Sequence, residues 1–175
     1  MPEPTGHWVF TNVIQSILER KCIPFIIRAS GDRDLNDYDG KLVRTLPIAK
    51  HTVTPRKGEI IVKTIRRTRP AQISINPSYL EPWSPLDGCE VIVTGGLGLG
   101  SVGTVRGRQG YNWVIAFTLD NVAQDLVIAE RELAVLEDLK CHGCVGALKV
   151  FILSYLRTRD PERILPHVDR GTFVF

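Results

Sequence analysis

Five glycines fall within nine residues in Gly95-Gly96-Leu97-Gly98-Leu99-Gly100-Ser101-Val102-Gly103, and their flanks leave such a run few ways to fold. Before it, Glu90-Val91-Ile92-Val93-Thr94 sets β-branched residues beside polar or acidic ones, which reads as a half-buried strand. After it, Thr104-Val105-Arg106 resumes an extended chain, and residues 107–112 form a second turn. Trp113-Val114-Ile115-Ala116-Phe117-Thr118-Leu119 is a third, strongly apolar strand closed by Asp120-Asn121. Leu126-Val127-Ile128 is a fourth, followed by the polar step Glu130-Arg131-Glu132 and then Leu133-Ala134-Val135-Leu136. Short strands at this spacing, joined by glycine turns, predict a small curled antiparallel barrel.

The same glycines spell a competing pattern. Gly98-x-Gly100-x-x-Gly103 follows a strand and Asp120 ends the next one, as in a dinucleotide fingerprint and its ribose-binding acid. That chemistry needs a helix after the third glycine, because the phosphate sits on the helix's free N–H groups. Residues 104–112 carry Gly107, Gly110 and the β-branched Thr104 and Val105, and are too few for a crossover to a parallel strand. The hairpin reading is therefore preferred, and a nucleotide-dependent enzyme ranks third among the functions considered. No G-x-S-x-G elbow, H-E-x-x-H helix or P-loop lysine is present. Asp32, Asp34 and Asp37 cluster without the glycine and distal glutamate of a calcium loop, and read as a solvated turn. The expectation is a protein with no catalytic residues and no cofactor.

Asp87-Gly88-x-Glu90-Val91-x-Val93, then Gly95 or Gly96, then Leu99-Gly100-Ser101-Val102-Gly103-Thr104-Val105, resembles the KOW motif of NusG-type transcription elongation factors and some large-subunit ribosomal proteins. The resemblance covers residues 85–137, with Leu99 where the family often has a basic residue. It implies an SH3-like barrel whose partners are RNA or DNA, or a transcription or ribosomal assembly.

Residues 39–83 read as a weaker version of the same unit. Asp39-Gly40-Lys41-Leu42-Val43-Arg44-Thr45-Leu46 echoes residues 87–93, and Ile73-Ser74-Ile75-Asn76-Pro77-Ser78-Tyr79-Leu80 lines up with residues 126–133. Each of the latter pair reads as a last strand, a 3₁₀-like turn and an apolar plug. The expected fold is thus mostly β, with two SH3-like units in tandem and short flanking helices. Its parts are an N-terminal helix and strand extension (1–37), a first unit with a basic face (38–84), the KOW-like unit (85–138) and a helical tail (139–175). In the extension, Val13, Ile14, Ile17 and Leu18 predict a helix over 12–21, and Phe25-Ile26-Ile27-Arg28 a strand. In the tail, the apolar spacing of residues 148–156 predicts a helix needing a surface to cover, supplied by the barrels or by a protein partner.

Charge is unevenly spread. Residues 41–70 hold nine basic side chains against Glu59 alone, a net +8, while the remainder carries −5. Basic strands and loops supply phosphate contacts, so Arg56, Lys57, Lys63, Arg66, Arg67 and Arg69 are the candidate nucleic-acid-binding residues, joined by Arg106 and Arg108. The competing explanation is that such residues keep an exposed strand from pairing with another molecule. A second function class is a methyl-lysine reader, with Tyr111 and either Trp83 or Phe117 as the candidate aromatic cage. Trp113, inside an apolar strand, reads as core. Cys141-His142-Gly143-Cys144 is half of a zinc ribbon, so Cys141 and Cys144 are weak metal candidates, whereas Cys22 and Cys89 read as isolated buried thiols. The start of the chain lacks a signal-peptide pattern and no apolar stretch spans a bilayer, which predicts an intracellular protein, nuclear or cytoplasmic, with no membrane partner.

Overall fold

The computed structural model describes residues 6–65, 70–119 and 121–139, and within them the chain is mostly β, with two antiparallel sheets and one α-helix. The helix, α1 (Asn12–Leu18), starts where the periodicity placed it and buries Ile14 and Leu18, one turn apart on one face. It stops three residues short of the expected end. Lys21–Cys22 is instead a short strand, β1, paired as Lys21↔Asp138 and Cys22↔Glu137. Lys21 Nζ lies 2.7 Å from Asp138 and 3.0 Å from Glu90, so the lysine is tied to that sheet.

The first sheet is a meander of β2 (Pro24–Ile27), β3 (Leu42–Thr45), β4 (Ile60–Thr64) and β5 (Gln72–Ile75). A 3₁₀ turn, Pro77–Tyr79, then leads into β6 (Leu80–Pro82), which returns to pair with β2, giving the order β5-β4-β3-β2-β6. The second sheet repeats the plan with β7 (Glu90–Val93), β8 (Val102–Gln109), β9 (Asn112–Leu119) and β10 (Val122–Ala129). Its 3₁₀ turn, Glu130–Glu132, leads into β11 (Leu133–Asp138), which returns to β7. With β1 added at one side the order is β1-β11-β7-β8-β9-β10. Both sheets are open, since their outermost strands do not pair with each other. Among the described residues no helix is long and apolar enough to cross a membrane.

The internal correspondence expected between residues 73–80 and 126–133 is present at the same offset: strand, 3₁₀ turn, then a buried leucine. That leucine is the first residue of the returning strand rather than a plug. The echo between residues 39–46 and 87–93 does not hold. Leu42–Thr45 is the second strand of its sheet and Glu90–Val93 the first of its own. Both follow an Asp-Gly turn, with Gly40 at φ 71° and Gly88 at φ 81°, and this shared turn produced the likeness. The true first strand of the leading sheet is β2, so part of the expected N-terminal extension lies in the middle of a sheet.

The glycine run folds as a hairpin. Residues Gly96–Gly98 form a 3₁₀ turn, the Gly100 N–H donates to the Val93 carbonyl at 2.8 Å, and β8 pairs antiparallel with β7. Gly100 has φ 85°, and the Val13 side chain of α1 occupies the space a β-carbon there would need. The dinucleotide reading required a helix after Gly103; Val102–Gln109 is a strand, and that reading falls.

Both faces of β7 and β11 are buried, so alternation sends their side chains to two different places. Ile92, Ala134 and Leu136 join the cluster formed by α1 and the first sheet, including Ile14, Phe25, Val43 and Val62. Val91, opposite both Val135 and Gly103, faces the other way, where Phe117 packs against Gly103. A β-carbon at Gly103 would lie 2.6 Å from Ile115 Cγ2, 2.7 Å from the Ala116 carbonyl oxygen and 3.0 Å from Phe117 Cδ1. At Gly107 it would meet nothing within 4 Å. Gly103→Ala is therefore expected to lower the unfolding free energy by about 1–3 kcal/mol in urea titrations, as overpacking does. Gly107→Ala is expected to stay within about 0.5 kcal/mol. Equal effects would refute this account of the β7–β8–β9 packing.

Candidate nucleic-acid interface

The basic residues of the first sheet are gathered by a loop and two strands. Arg44 on β3 and Lys63 on β4 are directly opposite each other, so two half-buried cations share one face of the sheet. Neither forms an ion pair with another described residue. Like charges placed this way destabilise a strand pair, which makes the pairing a cost for folding alone. Gln72 of β5 lies on the other side of Lys63.

The long connection between β3 and β4 is bonded to two side chains of β5. The Thr52 N–H donates to Gln72 Oε1 at 2.8 Å, Gln72 Nε2 to the Lys50 carbonyl at 2.9 Å, and the Arg56 N–H to Ser74 Oγ at 3.1 Å. Ser74 Oγ in turn donates to Glu59 Oε2 at 2.5 Å, so the window's one acid is engaged by a hydroxyl. Lys50, Arg56 and Lys57, all exposed, are thus held on the β4–β5 side of the sheet that also carries Arg44 and Lys63. Arg66, Arg67 and Arg69 lie outside the described residues. The sequence reading selected Arg56, Lys57 and Lys63 but passed over Arg44 and Lys50. The alternation of Leu42-Val43-Arg44-Thr45 was the available signal for Arg44; nothing local marked Lys50.

On the second sheet the two selected arginines differ. Arg106 is exposed at a β-bulge between Val105 and Gly107. The extra residue shifts the alternation, so that Arg108 comes to lie opposite the core tryptophan Trp113. Arg108 sits over that ring at 5.4 Å, donates from Nε to the Gly110 carbonyl at 3.0 Å, and has its Nη2 3.8 Å from Glu130. Trp113 Nε1 donates to the same Glu130 carboxylate at 3.2 Å, and Ser84 Oγ donates to its other oxygen at 2.6 Å. Arg108 is committed to this cluster, whereas Arg106 is open to a partner.

The expected aromatic cage is not formed. Trp83 and Phe117 are each 3% exposed, packed in the interior, while Tyr111 stands 89% exposed in the two-residue turn between β8 and β9. Burial of Trp83 after β6 and of Phe117 within β9 won over presentation at the surface, because each aromatic removes a large apolar area from water. Trp113 is buried, as its setting suggested. Cys22 is a buried thiol and Cys89 a half-buried one, whose pKa is pushed up by that burial. The candidates Cys141 and Cys144, and the helix expected over 148–156, lie outside the described residues. The acidic turn is a solvated loop stapled by its own carboxylates: Asp32 Oδ1 accepts from the Asp34 N–H at 2.9 Å, and Asp39 Oδ1 from the Ala29 N–H at 2.8 Å.

No protein-family model matches this chain, and no curated protein is significantly similar to it in sequence.

Arg44 has one further electrostatic neighbour. Burial holds the Glu137 carboxyl above the usual carboxylate range, and the positive charge of Arg44 partly offsets this. A raised carboxylate pKa means that ionisation costs more in the folded chain than in the unfolded one, a cost felt above the folded pKa and relieved as pH falls through it. Glu137→Gln is therefore expected to raise the melting temperature at neutral pH. The gain should shrink to nothing by about pH 3.5, below the ordinary glutamate range. A variant less stable than wild type at neutral pH would show that the attraction to Arg44 outweighs the burial cost.

Proposed function

We propose that the chain is a non-enzymatic nucleic-acid-binding module, built from two SH3-like five-strand units of which the second is KOW-type. The observation that carries this reading is the Arg44–Lys63 juxtaposition, neither side chain in an ion pair among the described residues, with Lys50, Arg56 and Lys57 looped to the same side. A polyphosphate backbone relieves the mutual repulsion of such a cluster and releases condensed counterions as it does so. The strand order supports the SH3-like assignment: a four-strand meander whose fifth strand follows a 3₁₀ turn and rejoins the first, present twice. The KOW resemblance favours RNA or DNA within a transcription or ribosomal assembly as the setting. The two units provide rigid display and no chemistry.

Binding to a short mixed-sequence RNA and to the matching DNA duplex, measured by fluorescence anisotropy across salt, tests the reading. The affinity is expected to fall steeply as salt rises, with a log–log slope set by the number of phosphates neutralised. Lys63→Ala and the Arg56→Ala/Lys57→Ala pair should each weaken binding and flatten the slope by roughly one per charge removed. Arg108→Ala should leave the slope alone, since that side chain is held by Trp113, Gly110 and Glu130. Absence of binding at about 50 mM salt, or binding indifferent to salt, would overturn the proposal.

A further inference from the structure

Four strands bound the two sheets, and three of them are protected in ways that discourage pairing with another chain. β1 has two residues, and its lysine is bridged to Asp138 and Glu90. β6 has three residues and ends on Pro82. β5 is short, at four residues, and its Gln72 and Ser74 side chains tie the β3–β4 connection beside it.

β10 has none of these devices. It runs for eight residues, Val122-Ala123-Gln124-Asp125-Leu126-Val127-Ile128-Ala129, and pairs along its whole length with β9 on one side. Among the described residues nothing pairs with its other side. It contains no proline, glycine or lysine and a single charge, Asp125. The equivalent strand of the first sheet is β5, half as long and bonded through its side chains to a connection of more than a dozen residues; the corresponding β8–β9 link is a two-residue turn. Val122, Leu126 and Val127 are 64%, 39% and 53% exposed. Leu126 lies opposite the fully buried Ile115, so the interior of the second sheet continues outward to Leu126 and stops there.

We infer that β10 is a strand-pairing edge whose occupant is β10 of a second copy of this chain, forming an antiparallel twofold dimer with one continuous sheet. The backbone donors and acceptors of an edge strand are satisfied only by another extended strand. A twofold axis through an antiparallel pair sets one residue opposite its own copy. Centred on Leu126, the axis places Leu126 against Leu126, Asp125 against Val127, Gln124 against Ile128 and Ala123 against Ala129. No like charges then face each other, and the paired leucines extend the apolar layer begun by Ile115 across the axis. Centring on Asp125 would oppose two carboxylates and is excluded by charge, while Leu126, next to buried Ile115, is the centre that continues the apolar layer. The inference is independent of the nucleic-acid reading, because β10 carries none of the basic residues on which that reading rests.

Sedimentation equilibrium of the full chain over a concentration series tests it. The expected result is a reversible monomer–dimer equilibrium. Leu126→Lys should raise the dimer dissociation constant at least tenfold, and Val127→Lys, at a more exposed position, should do the same while the circular dichroism spectrum is retained. Leu126→Cys should yield a covalent dimer on mild oxidation beyond any formed by the wild-type cysteines, because opposed residues in antiparallel strands lie about 4.5–5.5 Å apart, within disulfide range. Val122→Cys should not. A wild-type chain that stays monomeric throughout, or a dimer indifferent to both lysine variants, would overturn the inference.

Discussion

The return of each sheet's fifth strand to its first is the constraint on which the remaining structure depends. Strand β2 is buried along its length and β7 from Val91 to Val93, and each is flanked on both sides by hydrogen-bonded neighbours only because β6 and β11 come back to them. A single 3₁₀ turn makes that return, and a different side chain anchors it in each copy. In the first, Asn76 accepts from the Ser78 N–H at 3.0 Å and Pro77 presets the opening of the turn. In the second, the Glu130 carboxylate gathers Ser84, Trp113 and Arg108. The backbone outcome is the same although the chemistry is not.

Much of this plan was legible in the sequence wherever a strand had one wet face or a turn had its own chemistry. The glycine hairpin, the strands around Trp113 and Ile61, and the matched 3₁₀ turns all belonged to that class. The leading strand of the first sheet was legible as a strand over residues 25–28, but its place in the sheet was not. Pro24-Phe25-Ile26-Ile27 is apolar throughout because both its faces are covered, so it offers no alternation to say which sheet it joins. The Asp-Gly turns before Leu42 and Glu90 then drew the repeat out of register. β10 was read as three residues because its first half alternates weakly, while Asn121, at φ 64°, marks the tight turn from which the strand starts. At the candidate interface, composition located the basic window, but which cations meet across strands depends on register, and that is a tertiary fact.

The two sheets share a framework and differ in what joins the second and third strands of each meander. In the first sheet the connection from β3 to β4 is long, carries lysine and arginine, and is bonded to the Gln72 and Ser74 side chains of β5. In the second the connection from β8 to β9 is minimal, and the hairpin it joins is long and bulged at Arg106. The charge imbalance between residues 41–70 and the remainder follows this division, so one sheet carries most of the positive potential and the other most of the apolar edge.

The chain passes from the second sheet to the first within three residues. Lys21 and Cys22 belong to one and Pro24 opens the other, with Ile23 fully buried between them and its N–H held by Thr45 Oγ1 at 2.9 Å. β1 therefore has no partner until β11, more than a hundred residues later, has been made. On the ribosome the leading sheet emerges early but waits with Leu18 and Phe25 incompletely covered, since Ala134 and Leu136 complete that cluster from the far end. Closure of the interior is thus a late event in synthesis, and the two halves of this duplicated plan mature together.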